Sequence, residues 1–225
     1  MADQPRFLLY AFWRTSAAYR VRVALALKDL AWEEHYIDND KGENRSEDFL
    51  RLNPLGGLPV LIDRGGAKPD GVLTQSLAIL DYLEEVAPQK PLLPSDAFGR
   101  ARVRSLAAMV AADSHPLITP RVKKYLTGLG GFDDAAWRAW QVNWFTTGLQ
   151  AVEKRLTTEP ETGRFCHGDA VTMADVCLAS LIVVMRIFKI EVADIPTVNA
   201  IMARCEALEP FARAEPTRQK GAPQG

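Results

Sequence analysis

The stretch NPLGGLPVLID, residues 53–63, decides how the first part of the chain is interpreted. Its apolar run LPVLI predicts a buried strand, but Pro59 lies near the start of that run. Proline has no N–H to give to a neighbouring strand, so it fits only where a strand begins or where the peptide bond before it is cis. A Gly-Gly pair and the triplet PDG at 69–71 then precede a short apolar segment, 71–74. We therefore predict a hairpin between the two segments.

A strand, a helix and a second strand are predicted before this hairpin. The sequence FLLYAF, residues 7–12, is a continuous apolar run typical of a buried strand, and residues 32–37 predict another. Between them, residues 17–28 carry an apolar stripe at helical spacing, and we expect Arg20 and Arg22 to point away from it. A strand–helix–strand unit of about thirty residues indicates a parallel crossover connection.

The character of the sequence changes after the segment PQKPLLPSD, whose three prolines indicate a linker between domains. Beyond it helical periodicity dominates, and no convincing strand pair is visible. The sequence therefore predicts an α/β domain followed by an all-α domain. The expected bounds are 1–87 for the first domain, 88–95 for the linker and 96–225 for the second, with a disordered tail after Pro216.

One helix start in the second part is marked sharply by the sequence VTMADV, residues 171–176. Thr172 can cap the helix, while Asp175, three residues later, can reach back to the N–H of the capping residue. Val171 and Val176 lie where a hydrophobic staple requires apolar side chains. We therefore assign these polar residues a structural role.

The composition is that of an ordinary globular protein. Of the 225 residues 48% are hydrophobic, and the net charge of -1 gives no bulk attraction for nucleic acid or an anionic membrane surface. Three cysteines without a CxxC pair and three scattered histidines argue against a disulfide framework and a metal site. The start of the chain lacks a signal-peptide pattern, and its longest apolar run, 176–185, is too short to cross a bilayer. We expect a cytoplasmic protein.

Several stretches of the sequence resemble, in order, the zeta class of the glutathione transferases. They are WRTSAAYRVRVALALK, FLRLNPLGGLPVLID, LTQSLAILDYLEE, PLLPSD, DSHPL and GDAVTMADVCLA, and together they extend over nearly the whole chain. The LNP motif followed by a proline and then by QS is fairly specific for the superfamily, and the RVRVALALK helix after two hydroxyls points to the zeta class. That class includes maleylacetoacetate isomerase and bacterial maleylpyruvate isomerase. The resemblance implies a thioredoxin-like domain, an all-helical domain, a homodimer and glutathione as cofactor.

The resemblance also implies a set of glutathione-binding residues. Leu58 precedes Pro59, and in such folds the residue before a cis-proline pairs its backbone with the cysteinyl part of glutathione. Gln75 and Ser76 lie at a predicted helix N-terminus, where free N–H groups and the helix dipole favour a carboxylate. His115 in DSHPL matches a position that contacts glutathione in relatives. From the residues alone, a proline that merely starts a strand and a serine that merely caps a helix stay open.

Thr15 and Ser16 stand where the first helix is predicted to begin. A free thiol has a pKa of about 8.5, and lowering it by about two units takes roughly 2.7 kcal/mol. One charge-assisted hydrogen bond of about 1.5–3 kcal/mol is the right size for this task. The resemblance implies that the Thr15 hydroxyl stabilises the glutathione thiolate, with Ser16 as the backup donor. The alternative is an ordinary helix cap, although Ala18 does not complete a capping box.

The substrate side departs from the pattern of the class. Ala17 stands where a polar residue is common, and Thr15 replaces a serine. Ile187 occupies the place of an arginine that binds the substrate carboxylate in the isomerase members, and Arg186 lies one residue earlier, about 100° around a helix. Arg186 and Arg121 are the candidate substrate contacts, and a solvated helix charge is an equal alternative for Arg186.

Two hypotheses of different classes follow. In the first, the protein is an enzyme that activates the glutathione thiolate for addition to, or substitution on, a small acidic electrophile, and so either isomerises a cis double bond or forms a conjugate. In the second, it is a non-catalytic protein that binds glutathione or a hydrophobic ligand on the same fold. A thioredoxin-type reductase is a weak third option, because the N-terminal half contains no cysteine.

Overall fold

A mixed four-stranded sheet organises the first part of the chain. The structure is a computed structural model, and it describes residues 4–66, 68 and 71–223. The strands are β1 Phe7–Ala11, β2 Trp32–Tyr36, β3 Val60–Asp63 and β4 Gly71–Thr74. The helices are α1 Ser16–Leu27, α2 Glu47–Leu52, α3 Ser76–Val86, α4 Ala97–Ala108, α5 Pro120–Gly128, α6 Asp134–Thr158, α7 Met173–Ile187, α8 Pro196–Glu206 and α9 Glu209–Ala214. Pro69 and Asp70 of the predicted turn lie outside the described residues.

The order of the strands in the sheet is β2-β1-β3-β4. β1 pairs parallel with β2 through the crossover helix α1, and it pairs antiparallel with β3. β3 and β4 form the predicted hairpin. Tyr10 lies opposite Val60, and Val60 lies opposite Thr74. The end of β1, the start of β3 and the end of β4 therefore meet at the same end of the sheet.

The two arginines of α1 are buried, which their expected position outside the apolar stripe does not predict. Arg20 is 1% exposed and Arg22 is 0% exposed. Their burial is tolerated because the guanidinium groups find partners: Arg22 donates to both carboxylate oxygens of Glu34 on β2, at 2.9 and 2.7 Å. The helical stripe marks only part of the buried surface of α1, since α3 and α9 also pack against this helix.

The chain divides into two units, and their bounds differ from the expected ones at the C-terminal end. One unit runs up to Pro91 and takes in the residues from Leu208 onward, and the other is Leu92–Ala207. The last segment belongs to the first unit because α9 packs against α1 and buries Phe211. The expected disorder after Pro216 is wrong for the residues described there, since Pro216–Arg218 form a turn of 3-10 helix.

The second unit is helical, as predicted. At the end of α4 the chain continues as a π-helical turn, Met109–Ser114, and a 3-10 turn, His115–Ile118.

The capping box of α7 is confirmed, because the carboxylate of Asp175 accepts from both the N–H and the hydroxyl of Thr172 at 2.8 Å. Within the described residues, no helix combines the length and the hydropathy that crossing a bilayer requires.

Candidate active site

Three segments that carry predicted site residues meet at one end of the sheet in the first unit. Thr15 follows the end of β1, Leu58 and Pro59 precede the start of β3, and Gln75 and Ser76 follow the end of β4. The strand register fixes this convergence, although the segments are far apart in the sequence. The fold thus brings together the residues of this unit that the resemblance assigned to glutathione.

The peptide bond between Leu58 and Pro59 is cis, as predicted. Pro59 is buried, and Leu58 is half-buried and packs against a small core cluster of Ile37, Phe49 and Val60. The proline thus stands directly before β3 rather than within the hydrogen-bonded ladder of the sheet.

Thr15 is the capping residue of α1, but its hydroxyl does not cap the helix. Its backbone is tied at both ends: its N–H donates to the Phe12 carbonyl at 3.2 Å, and its carbonyl accepts from the Tyr19 N–H at 3.0 Å. The residue is half-buried. The geometry therefore does not favour the ordinary-cap interpretation, since the backbone holds Thr15 in place without using its side chain.

Gln75 and Ser76 form the start of α3. Gln75 has a φ of 67°, in the left-handed region that residues other than glycine rarely adopt, and its side chain is exposed. Ser76 is the first residue of the helix and is buried. Residues other than glycine with a positive φ are often found at ligand-binding sites. Gln75 also lies beside the N-terminus of α3, where the first backbone N–H groups have no partner within the helix.

Arg20 links the starts of α1 and α3, and the sequence interpretation missed it. One terminal nitrogen of its guanidinium donates to Ser76 Oγ at 3.0 Å, and the other donates to Ser16 Oγ at 3.2 Å. Ser16 is 2% exposed, so its hydroxyl is enclosed and already engaged by Arg20. The spacing of Ser16 and Arg20, one helical turn apart, is the signal that could have revealed the pair.

Two other arginines hold the loop between β1 and α1. Arg22 donates to the carbonyls of Phe12 and Trp13 at 3.4 and 3.3 Å. Arg14 lies over the rings of the same two residues and donates to Asp40 at 2.6 Å. These contacts fix the backbone that leads into Thr15.

The remaining candidate residues lie in the second unit. His115 is half-buried at the start of its 3-10 turn, and Arg121 is exposed on α5. Arg186 is exposed at the end of α7 and forms an ion pair with Glu206 of α8. This pairing supports the alternative in which Arg186 is a charge on the helix surface.

Comparisons with known proteins agree with this architecture. The family model "Glutathione S-transferase, N-terminal domain" matches residues 5–85. A maleylpyruvate isomerase from Ralstonia sp is 40% identical over 94% of this chain and 97% of its own length. This chain belongs to the zeta class of the glutathione transferases.

Solved structures of the class are also closely similar. Maleylacetoacetate isomerase from Methylobacterium extorquens AM1, with bound malonate and glutathione, is 50% identical over 96% of this chain and 100% of its own, with a TM-score of 0.92. A holo structure of maleylpyruvate isomerase, described as a bacterial zeta-class enzyme, is 39% identical over 96% of this chain and 100% of its own, with a TM-score of 0.90. Because these relatives are named as enzymes, the similarity does not favour the non-catalytic alternative.

Proposed function

We propose that this zeta-class protein is a glutathione-dependent enzyme acting on a small acidic electrophile. Cis–trans isomerisation of a maleylacetoacetate-like substrate is the leading reaction, and glutathione conjugation is the second. The observation that carries the proposal is the meeting of Thr15, Leu58 and Gln75 at one end of the sheet, with the Thr15 hydroxyl not used by its helix. The names of the isomerase relatives and the malonate bound to one of them support an acidic substrate.

The residues of the first unit fit glutathione. The start of α3 offers free N–H groups and the positive end of the helix dipole to the γ-glutamyl carboxylate, with Gln75 and Ser76 as donors. The backbone of Leu58 pairs with the cysteinyl part of the tripeptide. Thr15 donates its hydroxyl to the sulfur, which favours the thiolate over the thiol.

When bound, glutathione would supply a nucleophilic sulfur whose addition to a conjugated cis double bond moves the electron pair of that bond onto the carbonyl oxygen; the bond could then rotate, and return of the pair would expel the sulfur. The chain's own contribution is to keep that sulfur ionised and oriented. Thr15 does so with a hydroxyl whose backbone is fixed by Phe12 and Tyr19. Ser16 is a weaker candidate for this role, because its hydroxyl is buried against Arg20.

We place the second substrate with residues of the helical unit. His115 is the candidate glutathione contact of that unit, and Arg121 is the candidate partner for a substrate carboxylate, since its exposed guanidinium suits an anion. Arg186 is a secondary candidate, because binding a carboxylate would compete with its ion pair to Glu206.

A turnover panel tests the reaction class. The native protein is assayed with maleylacetone, maleylpyruvate, dichloroacetate and chlorodinitrobenzene, each with and without glutathione. We expect isomerisation of the maleyl compounds that requires glutathione but does not consume it. Conjugation without isomerisation would instead assign a transferase, and glutathione binding without any turnover would assign the non-catalytic alternative.

The homodimer and the cytoplasmic location belong to the same proposal. The resemblance to the zeta class supports the dimer, and the three buried cysteines Cys166, Cys177 and Cys205, all among the described residues and none in a disulfide, suit a reducing compartment. Light scattering of the purified chain and fractionation of cells that produce it are the respective measurements.

A further inference from the structure

Arg20 is a buried cation that contacts two predicted binding elements at once. It lies on α1, four residues after Ser16, and its other serine partner, Ser76, is 56 residues away in the sequence. Each serine is the first residue of its helix. A guanidinium is planar, and its terminal nitrogens have a fixed separation. The side chain therefore sets the distance between the N-terminal ends of α1 and α3.

We propose that Arg20 is a positioning residue for glutathione. It orients glutathione by holding the N-terminal ends of α1 and α3 at a fixed distance and by fixing the hydroxyls of Ser16 and Ser76. The inference rests on the proposed function and adds a residue to it that touches no substrate atom. Thr15 and Gln75 directly precede the two serines, so whatever fixes the serines also fixes the donors of the site.

The direction of the hydrogen bonds gives this contact a chemical consequence. Arg20 donates, so each serine oxygen accepts, and each hydroxyl proton is left to point at another acceptor. For Ser76 that acceptor is the γ-glutamyl carboxylate at the start of α3. For Ser16 the contact brings the positive charge of Arg20 to the first turn of α1, next to Thr15, where it favours an anionic sulfur.

Two substitutions separate the geometry from the charge. Arg20→Met removes both, and we expect the KM for glutathione to rise about tenfold or more, since two charge-assisted hydrogen bonds are lost. The acidic limb of the pH profile of kcat/KM should also shift to higher pH by about half a unit or more, because loss of the positive charge raises the pKa of the thiol. Arg20→Lys keeps the positive charge but lacks the two terminal nitrogens with which the guanidinium contacts both serines. Its pH profile should therefore be close to that of the native protein, while its KM for glutathione should remain nearly as high as that of Arg20→Met.

Lys28→Met is the matched control. Lys28 is also a buried cation, but it caps the opposite, C-terminal end of α1, where it pairs with Glu84 and donates to the carbonyls of Ala87 and Lys90. Its loss should lower the melting temperature without changing the KM for glutathione or the pH profile. If Arg20→Met and Lys28→Met both lower only the melting temperature, Arg20 is merely structural and the inference fails.

A double-mutant cycle covers the case in which Arg20→Met does not fold. Ser16→Ala and Ser76→Ala are made singly and together in a chain that retains Arg20. Because one guanidinium joins the two serines, their effects on the KM for glutathione should be non-additive, and additive effects would overturn the inference. The native protein separates failure of the proposed function from failure of the role of Arg20. If the native protein neither binds nor uses glutathione, the proposed function fails. If the native protein turns over and the variants are unaffected, only the role of Arg20 is refuted.

Discussion

At the scale of single residues, Thr15 is the group on which the proposed thiolate chemistry depends. Thr15→Ala should lower kcat/KM by about 10- to 150-fold, the equivalent of one charge-assisted hydrogen bond of about 1.5–3 kcal/mol. The affinity for glutathione should change little, because Thr15 is assigned no contact with the carboxylates. The pKa of the bound thiol should rise, and titration of the ultraviolet absorbance of the thiolate measures it.

Two variants control this experiment. Thr15→Ser keeps the hydroxyl and should retain the low thiol pKa. Thr158→Ala removes an exposed hydroxyl that donates to the Lys154 carbonyl within α6, and it should leave catalysis unchanged. If Thr15→Ala turned over as the native protein does, with the same thiol pKa, another donor would have to be found.

Asp63 is a second residue with a specific electrostatic role, in this case in stability. Burial raises the pKa of its carboxyl, but hydrogen bonds from Arg6, from the Tyr82 hydroxyl and from the Gly65 N–H outweigh burial and lower the pKa to about 2. Because the folded-state pKa lies below the ordinary 3.8, the carboxylate stabilises the fold above that pH. The stabilisation is lost as the pH falls from 3.8 through about 2.

Asp63→Asn should therefore lower the free energy of unfolding by about 2 kcal/mol or more at neutral pH. The difference from the native protein should shrink as the pH falls towards about 2. Urea unfolding at neutral pH and at a pH of about 3 checks both statements. Asp48→Asn, at an exposed carboxylate paired with Arg51, should have almost no effect at either pH. If Asp63→Asn lowered the free energy of unfolding by the same amount at both pH values, the whole effect would be due to packing and not to the charge of the carboxylate.

At the scale of elements, sequence patterns predicted those parts of the fold that depend on local chemistry. The strands, the crossover helix and the hairpin follow from apolar runs and turn residues, and the capping box follows from Thr172 and Asp175. The burial of Arg20 and Arg22 could not be predicted in this way, because it depends on partners contributed by α3 and β2. The apolar stripe of a helix indicates which face is buried, but it carries no information on charged side chains that are buried against ionic partners from other elements.

The same limit applies to the site. The resemblance to the zeta class predicts roles for Thr15 and Gln75 and a cis bond before Pro59, whereas the position of that proline alone leaves a simple strand start open. Their convergence, however, is a property of strand register, which brings Tyr10, Val60 and Thr74 side by side. No local pattern encodes that register.

The contact of α6 with the π-helical turn depends on Gly148. A methyl group at this position would overlap Ser114 Oγ and lie 2.9 Å from Ser114 Cβ. Gly148→Ala should therefore destabilise the protein by about 1–3 kcal/mol through overpacking, despite the better helix propensity of alanine. Thermal unfolding measures the loss.

Gly128→Ala is the matched control for that prediction. It also lies in a helix, α5, but a methyl group there meets nothing within 4 Å. It should stabilise the protein by up to about 1 kcal/mol. If Gly148→Ala were equally stabilising, the close approach of α6 to Ser114 would not exist in solution.

At the scale of the whole molecule, the first unit is built from two distant parts of the chain. Its sheet and α1 are completed by the segment from Leu208 onward. Phe211 is 1% exposed on α9, and the guanidinium of Arg213 lies 4.5 Å from the centre of the Trp32 ring. Composition alone could not assign this segment, because a short amphipathic helix pairs equally well with any apolar surface.

Phe211→Ala should destabilise the first unit by about 3–5 kcal/mol, since it removes a buried ring and leaves a cavity against α1. Hydrogen exchange separates the two units: amides of α1 and β1 should lose protection more than those of α7. Phe98→Ala, which removes a ring that is 71% exposed, should leave exchange unchanged. Equal loss of protection in α7 and α1 would mean that both units unfold together. Unchanged protection in α1 would mean that the last segment is no part of the first unit.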